Sequence, residues 1–338
     1  MNYRYLGNSG LKVSELCIGT MTFGSAEKVN EIGQIAQKEA DVLTNMAIDA
    51  GINFFDTADV YSNGVSEEVL GKSLGTKRKE VIVATKVRFP MSNNINDTGL
   101  SRHHIIESCE NSLKRLGTDY IDLYQIHGFD PGTPLEETLR AFETLIQSGK
   151  IRYSGCSNLN AWQTMKALTI SEKLNLEKFV TNQLYYSIGA RDIEHEIVPM
   201  CLDQKMGILC WSPLSGGFFT GKYSRENNSP EDSRRGYEEN SSLKYWPVDM
   251  EKAFKILDVI TEIAASRHKT IAQVAINWLL NKPSVTSVII GVRKPSQLTD
   301  NIGAGGWNLS PEEMQKLDTV SAQPAMYPAW HQMYADER

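Results

Sequence analysis

The chain has 338 residues, of which 41% are apolar, 22% charged and 9% aromatic. A chain of this length and composition buries roughly three quarters of its unfolded surface on folding, so it is expected to be globular, either as two domains or as one large α/β barrel. The formal net charge is -6. Because no block of one sign stands out, the sequence argues against a nucleic-acid-binding stripe and against a polybasic membrane patch.

The amino-terminal segments predict a small hairpin ahead of the main fold. Residues 3–6 and 11–13 flank the turn sequence Asn-Ser-Gly at 8–10, and the pair is predicted to plug the lower mouth of a barrel. The first residues contain no apolar stretch of signal-peptide length, and no window reaches the 18 apolar residues of a membrane span. A cytoplasmic location is therefore expected.

Eight short runs rich in β-branched residues follow, with segments of helical periodicity between them. The predicted strands are 16–19, 54–56, 81–86, 121–127, 151–157, 179–183, 207–211 and 288–291. Two helices have clear boundary signals, because Ser101 can cap one that stops at Gly117 and Pro134 can open one that stops at Gly149. Eight strand-then-helix units in sequence predict a (β/α)8 TIM barrel, with residues 1–338 forming a single domain.

The carboxyl-terminal third departs from the regular repeat. Residues 224–244 are polar and predict a mobile loop, and two extra helices are predicted over 249–267 and 271–281, before the eighth strand. Residues 321–338 form an aromatic-bearing tail without periodicity. The five cysteines are odd in number, form no C-x-x-C pair and lie mostly in apolar runs, so they are expected to be buried thiols in a reducing compartment.

Polar side chains stand where several predicted strands end. Asp56, Lys86 and His127 end the second, third and fourth strands, and later strands end in Ser157-Asn158, Asn182-Gln183 and Trp211-Ser212. Working groups of a barrel gather at the carboxyl ends of its strands. Any one of these residues alone is more often a solvated terminus or a satisfied core residue, but three on consecutive strands predict a site.

Tyr61 lies in the loop after Asp56 and on its own is best explained as a packing residue. Beside Lys86, however, its phenolate would be favoured by the ammonium, and its pKa would fall. Asp56 would keep that ammonium charged and in place. A phenol tuned in this way can donate a proton near neutral pH.

Motifs over nearly the whole chain resemble those of the aldo-keto reductases, in the branch that includes potassium-channel β-subunits and bacterial stress-induced reductases. They include Gly51-Ile-Asn-Phe-Phe-Asp-Thr-Ala, Ala84-Thr-Lys, Asp122-Leu-Tyr-Gln-Ile-His127 and Gly155-Cys-Ser-Asn158. The resemblance implies that Asp56, Tyr61, Lys86 and His127 are the catalytic residues of an oxidoreductase that uses NADPH (NADP+) to reduce aldehydes and ketones to alcohols. Tyr61 would protonate the carbonyl oxygen, and His127 would orient the carbonyl.

The resemblance also implies where the cofactor lies. Ser157, Asn158 and Gln183 would hold the carboxamide, and Trp211 would stack on the nicotinamide ring. Further cofactor contacts are implied at Gly19, Thr20, Met21 and Asp56, at Ser212, Pro213, Leu214, Gly216 and Lys222 along the pyrophosphate, and at Gly291, Arg293, Lys294, Gln297, Asp300 and Asn301 at the adenosine end.

The loops after the strands predict a broad and mostly apolar substrate mouth. Its expected residues are Phe23, Arg88, Phe89 and Phe129, together with Trp330 from the tail 321–338, which borders the substrate opening in the family. Arg88 would contact an anionic substrate. The expected partner is a small carbonyl compound, with no nucleic acid, membrane or metal, and a homo-oligomer stays open.

Three other enzyme classes fit the sequence less well. Gly216-Gly-Phe-Phe-Thr-Gly-Lys222 follows most of a phosphate-loop pattern, but Tyr223 stands where Ser or Thr would hold magnesium. No Gly-x-Gly-x-x-Gly follows a strand, as a Rossmann site requires. A metal-dependent hydrolase would need more strand-end ligands than His127. The alternative that stays open is a cofactor-binding, redox-sensing or regulatory subunit with slow turnover, because channel β-subunits share these motifs.

Overall fold

The chain folds around parallel strands that close into a ring. The computed structural model describes residues 1–24, 35–227 and 249–332. Its strands are β1 (Tyr3–Tyr5), β2 (Lys12–Ser14), β3 (Leu16–Gly19), β4 (Phe54–Asp56), β5 (Ile82–Val87), β6 (Ile121–Ile126), β7 (Ile151–Ser157), β8 (Thr181–Tyr185), β9 (Gly207–Trp211) and β10 (Val285–Gly291). Strands β3 to β10 pair in sequence order, and β10 pairs with β3 to close the barrel. The predicted (β/α)8 barrel is confirmed.

Helices follow the barrel strands. They are α1 (Gln37–Asp49), α2 (Val65–Leu74), α3 (Arg102–Leu116), α4 (Leu135–Gln147), α5 (Ala161–Leu174), α6 (Ile197–Asp203), α7 (Met250–Arg267), α8 (Ile271–Leu280), α9 (Pro295–Ile302), α10 (Pro311–Ser321) and α11 (Ala329–Gln332). The predicted cap of α3 is confirmed, because the Ser101 side chain accepts a hydrogen bond from the His104 amide at 3.2 Å. The extra helices α7 and α8 are confirmed as well.

Two sequence predictions extend onto residues outside the described ranges. The loop predicted over 224–244 is described only as far as residue 227, and the tail predicted over 321–338 only as far as residue 332. The described part of the tail includes α11, a single helical turn.

The last barrel strand begins earlier than its apolar run indicates. Strand β10 starts at Val285, whereas the sequence predicts 288, because Thr286 and Ser287 interrupt the run of apolar residues. Both side chains are nevertheless buried. The Ser287 hydroxyl donates to the Ser14 carbonyl at 2.8 Å, so its polar group is satisfied inside the fold.

The predicted amino-terminal hairpin is confirmed as β1 and β2, which pair antiparallel. Leu6 and Val13 from this hairpin are fully buried and pack with Leu123 and Leu209 of the barrel interior. Between the two strands, Gly7 adopts a φ of 56°, and a Cβ atom there would lie 2.0 Å from the Val180 carbonyl oxygen. Only glycine allows this close approach, which seats the plug in the lower mouth.

The five cysteines are all buried, as the sequence predicts. Within the described ranges, no helix combines the length and the apolar character needed to cross a membrane.

Candidate active site

Three predicted site residues lie at the carboxyl ends of neighbouring strands. Asp56 ends β4, Lys86 lies near the end of β5, and His127 directly follows β6. In the barrel register Asp56 pairs with Ala84, and Lys86 pairs with Gln125. Because parallel strands present their carboxyl ends at one rim, these side chains converge there as predicted.

Asp56 and Lys86 form a buried ion pair. The Lys86 Nζ atom lies 2.5 Å from Asp56 Oδ1, and the lysine side chain has no exposed area. A second bond runs from Nζ to the Thr57 carbonyl at 2.8 Å. Burial on its own would lower the pKa of Lys86, but the Asp56 carboxylate and the Tyr61 oxygen together raise it above its usual value. Lys86 is therefore an ammonium at physiological pH.

Tyr61 begins a 3₁₀ turn over Tyr61–Gly64 that follows β4. This turn places the phenol oxygen 3.4 Å from Lys86 Nζ, and the ammonium lies 5.0 Å from the centre of the tyrosine ring. The ammonium donates to the phenol oxygen, so a negative charge on that oxygen would be stabilised.

His127 is the fourth proposed catalytic residue, and it lies beside Tyr61. Its ring meets the Tyr61 ring edge to face at 5.9 Å and the Phe89 ring at 4.9 Å. Burial lowers the pKa of His127 well below its usual value, and the positive charges of Lys86 and Arg88 lower it further. The imidazole is therefore neutral, with one nitrogen a donor and the other an acceptor.

Two glutamines also bind the Asp56 carboxylate. Gln183 Nε2 donates to Asp56 Oδ2 at 2.7 Å, and Gln125 Nε2 donates to the same oxygen at 3.3 Å. Sequence reasoning missed Gln125. The signal was present, because residues two apart on a strand face the same side, and Gln125 lies two positions before His127. Hydrogen bonds from two amides hold the carboxylate in a fixed orientation.

The residues predicted to hold the nicotinamide lie side by side. Asn158 adopts a left-handed φ of 60° just after β7, and its amide nitrogen donates to Ser157 Oγ at 2.9 Å. Trp211 Nε1 donates to Asn158 Oδ1 at 3.1 Å, and the Trp211 ring stacks on Tyr185 with centroids 4.8 Å apart. With Gln183 on Asp56, these contacts join the rim residues of β4, β7, β8 and β9.

The segment after β9 contains consecutive left-handed residues. Ser215, Gly216 and Gly217 have φ values of 48°, 63° and 95°, and the Gly216 amide donates to the Ser212 hydroxyl at 3.1 Å. A Cβ atom on Gly217 would have no neighbour within 4 Å, so open space adjoins this turn. Pro213 is buried, Leu214 is half-buried, and Lys222 is exposed at the end of the segment.

The segment after β10 is bound to the start of α9. The Arg293 amide donates to Gln297 Oε1 at 2.8 Å, and Gly291 is open to solvent. Lys294 is exposed and occupies the N-cap position of the helix without a capping bond from its side chain. Asp300 instead accepts from Thr270 and Gln273, both at 3.0 Å, and Asn301 is buried. The Asp300 carboxylate therefore holds the start of α8, a role that the sequence did not predict.

The predicted contacts on β3 lie beside Asp56. Gly19 pairs with Asp56 in the barrel, and both the amide and the hydroxyl of Thr20 donate to the Asp56 carbonyl, at 2.9 Å and 3.1 Å. Met21 is half-buried. These residues hold the backbone from which the Asp56 side chain projects.

The predicted substrate residues have different surroundings. Arg88 and Phe89 lie beside His127, and the Phe129 ring contacts Trp162 at 6.0 Å. Phe23, in contrast, is fully buried in the hydrophobic core. Trp330 is 47% exposed, and its ring contacts are with Tyr327 and His331.

Comparison with known proteins places this site in a family. The chain is 38% identical to a probable voltage-gated potassium channel subunit beta of Oryza sativa subsp. japonica over 95% of its own length and 96% of that protein. It is 37% identical to an uncharacterized oxidoreductase of Bacillus subtilis (96% and 97% of the two chains) and 34% identical to the versiconal hemiacetal acetate reductase of Aspergillus parasiticus (97% and 99%). The model of the aldo/keto reductase family matches residues 15–322. The chain, with its closed barrel and its buried lysine–aspartate pair, belongs to the aldo/keto reductase family.

Proposed function

We propose that this oxidoreductase reduces aldehydes and ketones to alcohols with NADPH, and that Tyr61 is the proton donor. The observation that carries the proposal is the Lys86 ammonium, which contacts Asp56 at 2.5 Å and the Tyr61 oxygen at 3.4 Å. The neutral His127 ring beside that phenol supplies a second polar group for a carbonyl oxygen.

The residues at the rim fit a nicotinamide dinucleotide. Asn158 and Ser157 present an exposed amide and a hydroxyl next to Trp211, whose indole can cover a flat ring. The left-handed turn through Gly216 and Gly217 adjoins open space, which suits a pyrophosphate that needs close backbone approach. When bound there, the cofactor would supply a hydride to the carbonyl carbon.

The side chains of the protein would manage the proton. Tyr61 would donate its hydroxyl proton to the carbonyl oxygen, and the Lys86 ammonium would stabilise the phenolate left behind. Asp56, held by two glutamines, would fix Lys86 in place. His127 would donate a hydrogen bond to the same carbonyl oxygen and so orient the carbonyl face.

The proposal is tested by mixing the purified protein with NADPH and a panel of aldehydes and ketones, and following the loss of NADPH absorbance. Steady oxidation that depends on the added carbonyl, with the matching alcohol identified as product, is the expected result. No turnover of any carbonyl by protein that binds NADPH would overturn the proposal.

The second candidate is a cofactor-binding regulatory subunit with slow turnover. The observation that favours it is the similarity to three proteins named as voltage-gated potassium channel β-subunits, from two plants and a yeast. A single-turnover experiment separates the two functions. A regulatory subunit would oxidise its bound NADPH once and release NADP+ slowly, whereas an enzyme would continue at a steady rate.

Removal of residues 324–338 is expected to raise KM for bulky carbonyls more than it changes the Kd for NADPH. The exposed rings of Tyr327 and Trp330 would provide apolar contact for a large substrate at the barrel mouth. The truncation keeps Ala322, whose carbonyl accepts from Lys252 at 2.6 Å, so α10 stays tied to α7. The measurement is KM for a small and a large aldehyde beside a cofactor titration. Equal changes for both ligands, or a lost thermal transition, would show that the tail only packs.

A further inference from the structure

Arg88 occupies a fixed position beside the reaction centre. It lies just after β5, two residues beyond Lys86, and its side chain is half-buried. Its Nε atom donates to the Phe129 carbonyl at 3.1 Å, and its side chain runs so close to Gly128 that a Cβ atom there would lie 3.4 Å from Arg88 Cδ. One guanidinium edge is thus anchored to the backbone of the loop after β6.

Within residues 1–24, 35–227 and 249–332, this guanidinium has no carboxylate partner, because no Asp or Glu oxygen there lies within 4.0 Å of an Arg88 nitrogen. The nearby Asp130 accepts instead from the Leu100 amide at 2.7 Å, the Gly132 amide at 2.9 Å and the Thr133 hydroxyl at 2.7 Å. Arg88 helps to lower the pKa of Asp130, so the two charges interact, but they make no ion-pair contact. A half-buried cation without a contacting anion incurs a desolvation cost that a bound anion would offset, so this arrangement points to a ligand.

The guanidinium and the His127 ring both contact the Phe89 ring. The Arg88 Cζ atom lies 5.0 Å from the centre of the Phe89 ring, and the Phe89 and His127 rings are 4.9 Å apart. The guanidinium is therefore no farther from His127 than these two separations together. A small organic molecule can span that distance along the face or edge of Phe89.

We propose that Arg88 binds the carboxylate of the substrate, so that the enzyme prefers carbonyl compounds that carry a carboxylate at the end opposite the carbonyl. The carbonyl would lie between Tyr61 and His127, and the spacer would lie along Phe89. The guanidinium fork, with its Nε already bound to Phe129, presents its remaining N–H groups to a planar carboxylate. This inference rests on the proposed carbonyl reduction and names its substrate class.

The test compares 4-carboxybenzaldehyde with 4-methylbenzaldehyde, which share the benzaldehyde ring and differ in the para substituent, a charged carboxylate in one and a neutral methyl group in the other. We expect wild type to show a higher kcat/KM for the carboxylate, and Arg88→Met to reduce the ratio of the two kcat/KM values by at least about tenfold, mainly through KM. Arg88→Lys keeps the positive charge but loses the two-pronged guanidinium, so its ratio of kcat/KM values should fall between those of wild type and Arg88→Met. Arg102→Met removes the same charge from the exposed start of α3 and should leave the ratio at its wild-type value.

A ratio that Arg88→Met leaves unchanged would overturn the inference, as would a wild-type enzyme that favours the methyl compound. Binding of the alcohol 4-(hydroxymethyl)benzoate, measured by calorimetry without turnover, separates this inference from the proposed function. If Arg88→Met binds this alcohol more weakly than wild type does, but wild type reduces no aldehyde, the role of Arg88 is supported and the proposed reductase activity is overturned. If wild type reduces 4-methylbenzaldehyde normally, but binding of the alcohol does not depend on Arg88, the reductase activity is supported and the role of Arg88 is overturned.

Discussion

Replacement of Tyr61 with phenylalanine is expected to lower the rate of carbonyl reduction by a factor on the order of 100 or more. The substitution keeps the ring, and with it the edge-to-face contact with His127 at 5.9 Å and the packing over the Lys86 ammonium. It removes only the hydroxyl, which lies 3.4 Å from that ammonium. Without it, the oxygen of the reduced carbonyl would have to take its proton from water or from a less suitable donor. The measurement is kcat with a simple aldehyde at saturating NADPH.

The same variant should still bind the cofactor, because the residues proposed to hold NADPH do not include Tyr61. A fluorescence titration with NADPH checks this point. Tyr124→Phe is the matched control, because it also deletes one tyrosine hydroxyl. That hydroxyl is buried and donates to the Ile105 carbonyl of α3, on the helix side of the barrel wall. The kcat of this control should stay close to that of wild type. A Tyr61→Phe enzyme that reduces aldehydes at a near wild-type rate would show that another group donates the proton.

The enzyme is expected to bind NADPH about 30-fold to 1000-fold more tightly than NADH, which corresponds to about 2 to 4 kcal/mol. Arg293 and Lys294 follow β10 and stand at the start of α9, where the helix N-terminus adds to their positive potential. The 2'-phosphate of NADPH would accept from the Arg293 guanidinium and the Lys294 ammonium. NADH has no group that can use either contact.

The measurement is the ratio of the two Kd values in wild type and in the double variant Arg293→Ala, Lys294→Ala, which should bring the ratio close to one. A second double variant, Lys166→Ala, Lys173→Ala, removes the same charge from exposed positions on α5 and should keep the wild-type ratio. A ratio near one in wild type, or one that the Arg293 and Lys294 substitutions do not change, would assign these residues to the solvated surface.

The strand ends were the part of the site that the sequence could predict on physical grounds. Asp56, Lys86 and His127 each follow an apolar run, and parallel topology brings such positions together whatever the loops do. Tyr61 was different, because a residue in a loop has no position until the 3₁₀ turn after β4 is known. Its role as a proton donor was argued on the condition that it lies beside Lys86, and only the resemblance to a family supplied that position.

The strand period could place Gln125 on the same face as His127, but the partners of long-range side-chain hydrogen bonds were beyond the sequence. Gln125 donates to Asp56 across 69 positions, and Asp300 accepts from Thr270 and Gln273 across about 30. The spacing of residues along the chain does not predict which of them form such hydrogen bonds, because the pairs depend on how separate helices and strands pack together. The early start of β10 was missed for a related reason, because the polar Ser287 is buried only through its bond to the distant Ser14.

The closure of the barrel has a consequence for how the chain is made. Strand β3 pairs with β10, and Arg4 donates to the Val285 carbonyl across 281 positions. The first strand of the barrel therefore cannot complete its pairing until the last strand has been synthesised. All four proposed catalytic residues have been synthesised by residue 127, but at that point the ring is open and its outer strands present unpaired backbone groups. A nascent chain that stops before Val285 therefore exposes unpaired strand edges that are prone to aggregation. Contacts this distant in sequence also form late and slowly. Such fragments should aggregate, bind chaperones or be degraded by proteases. Because the site needs the closed barrel, activity should arise only near the end of synthesis.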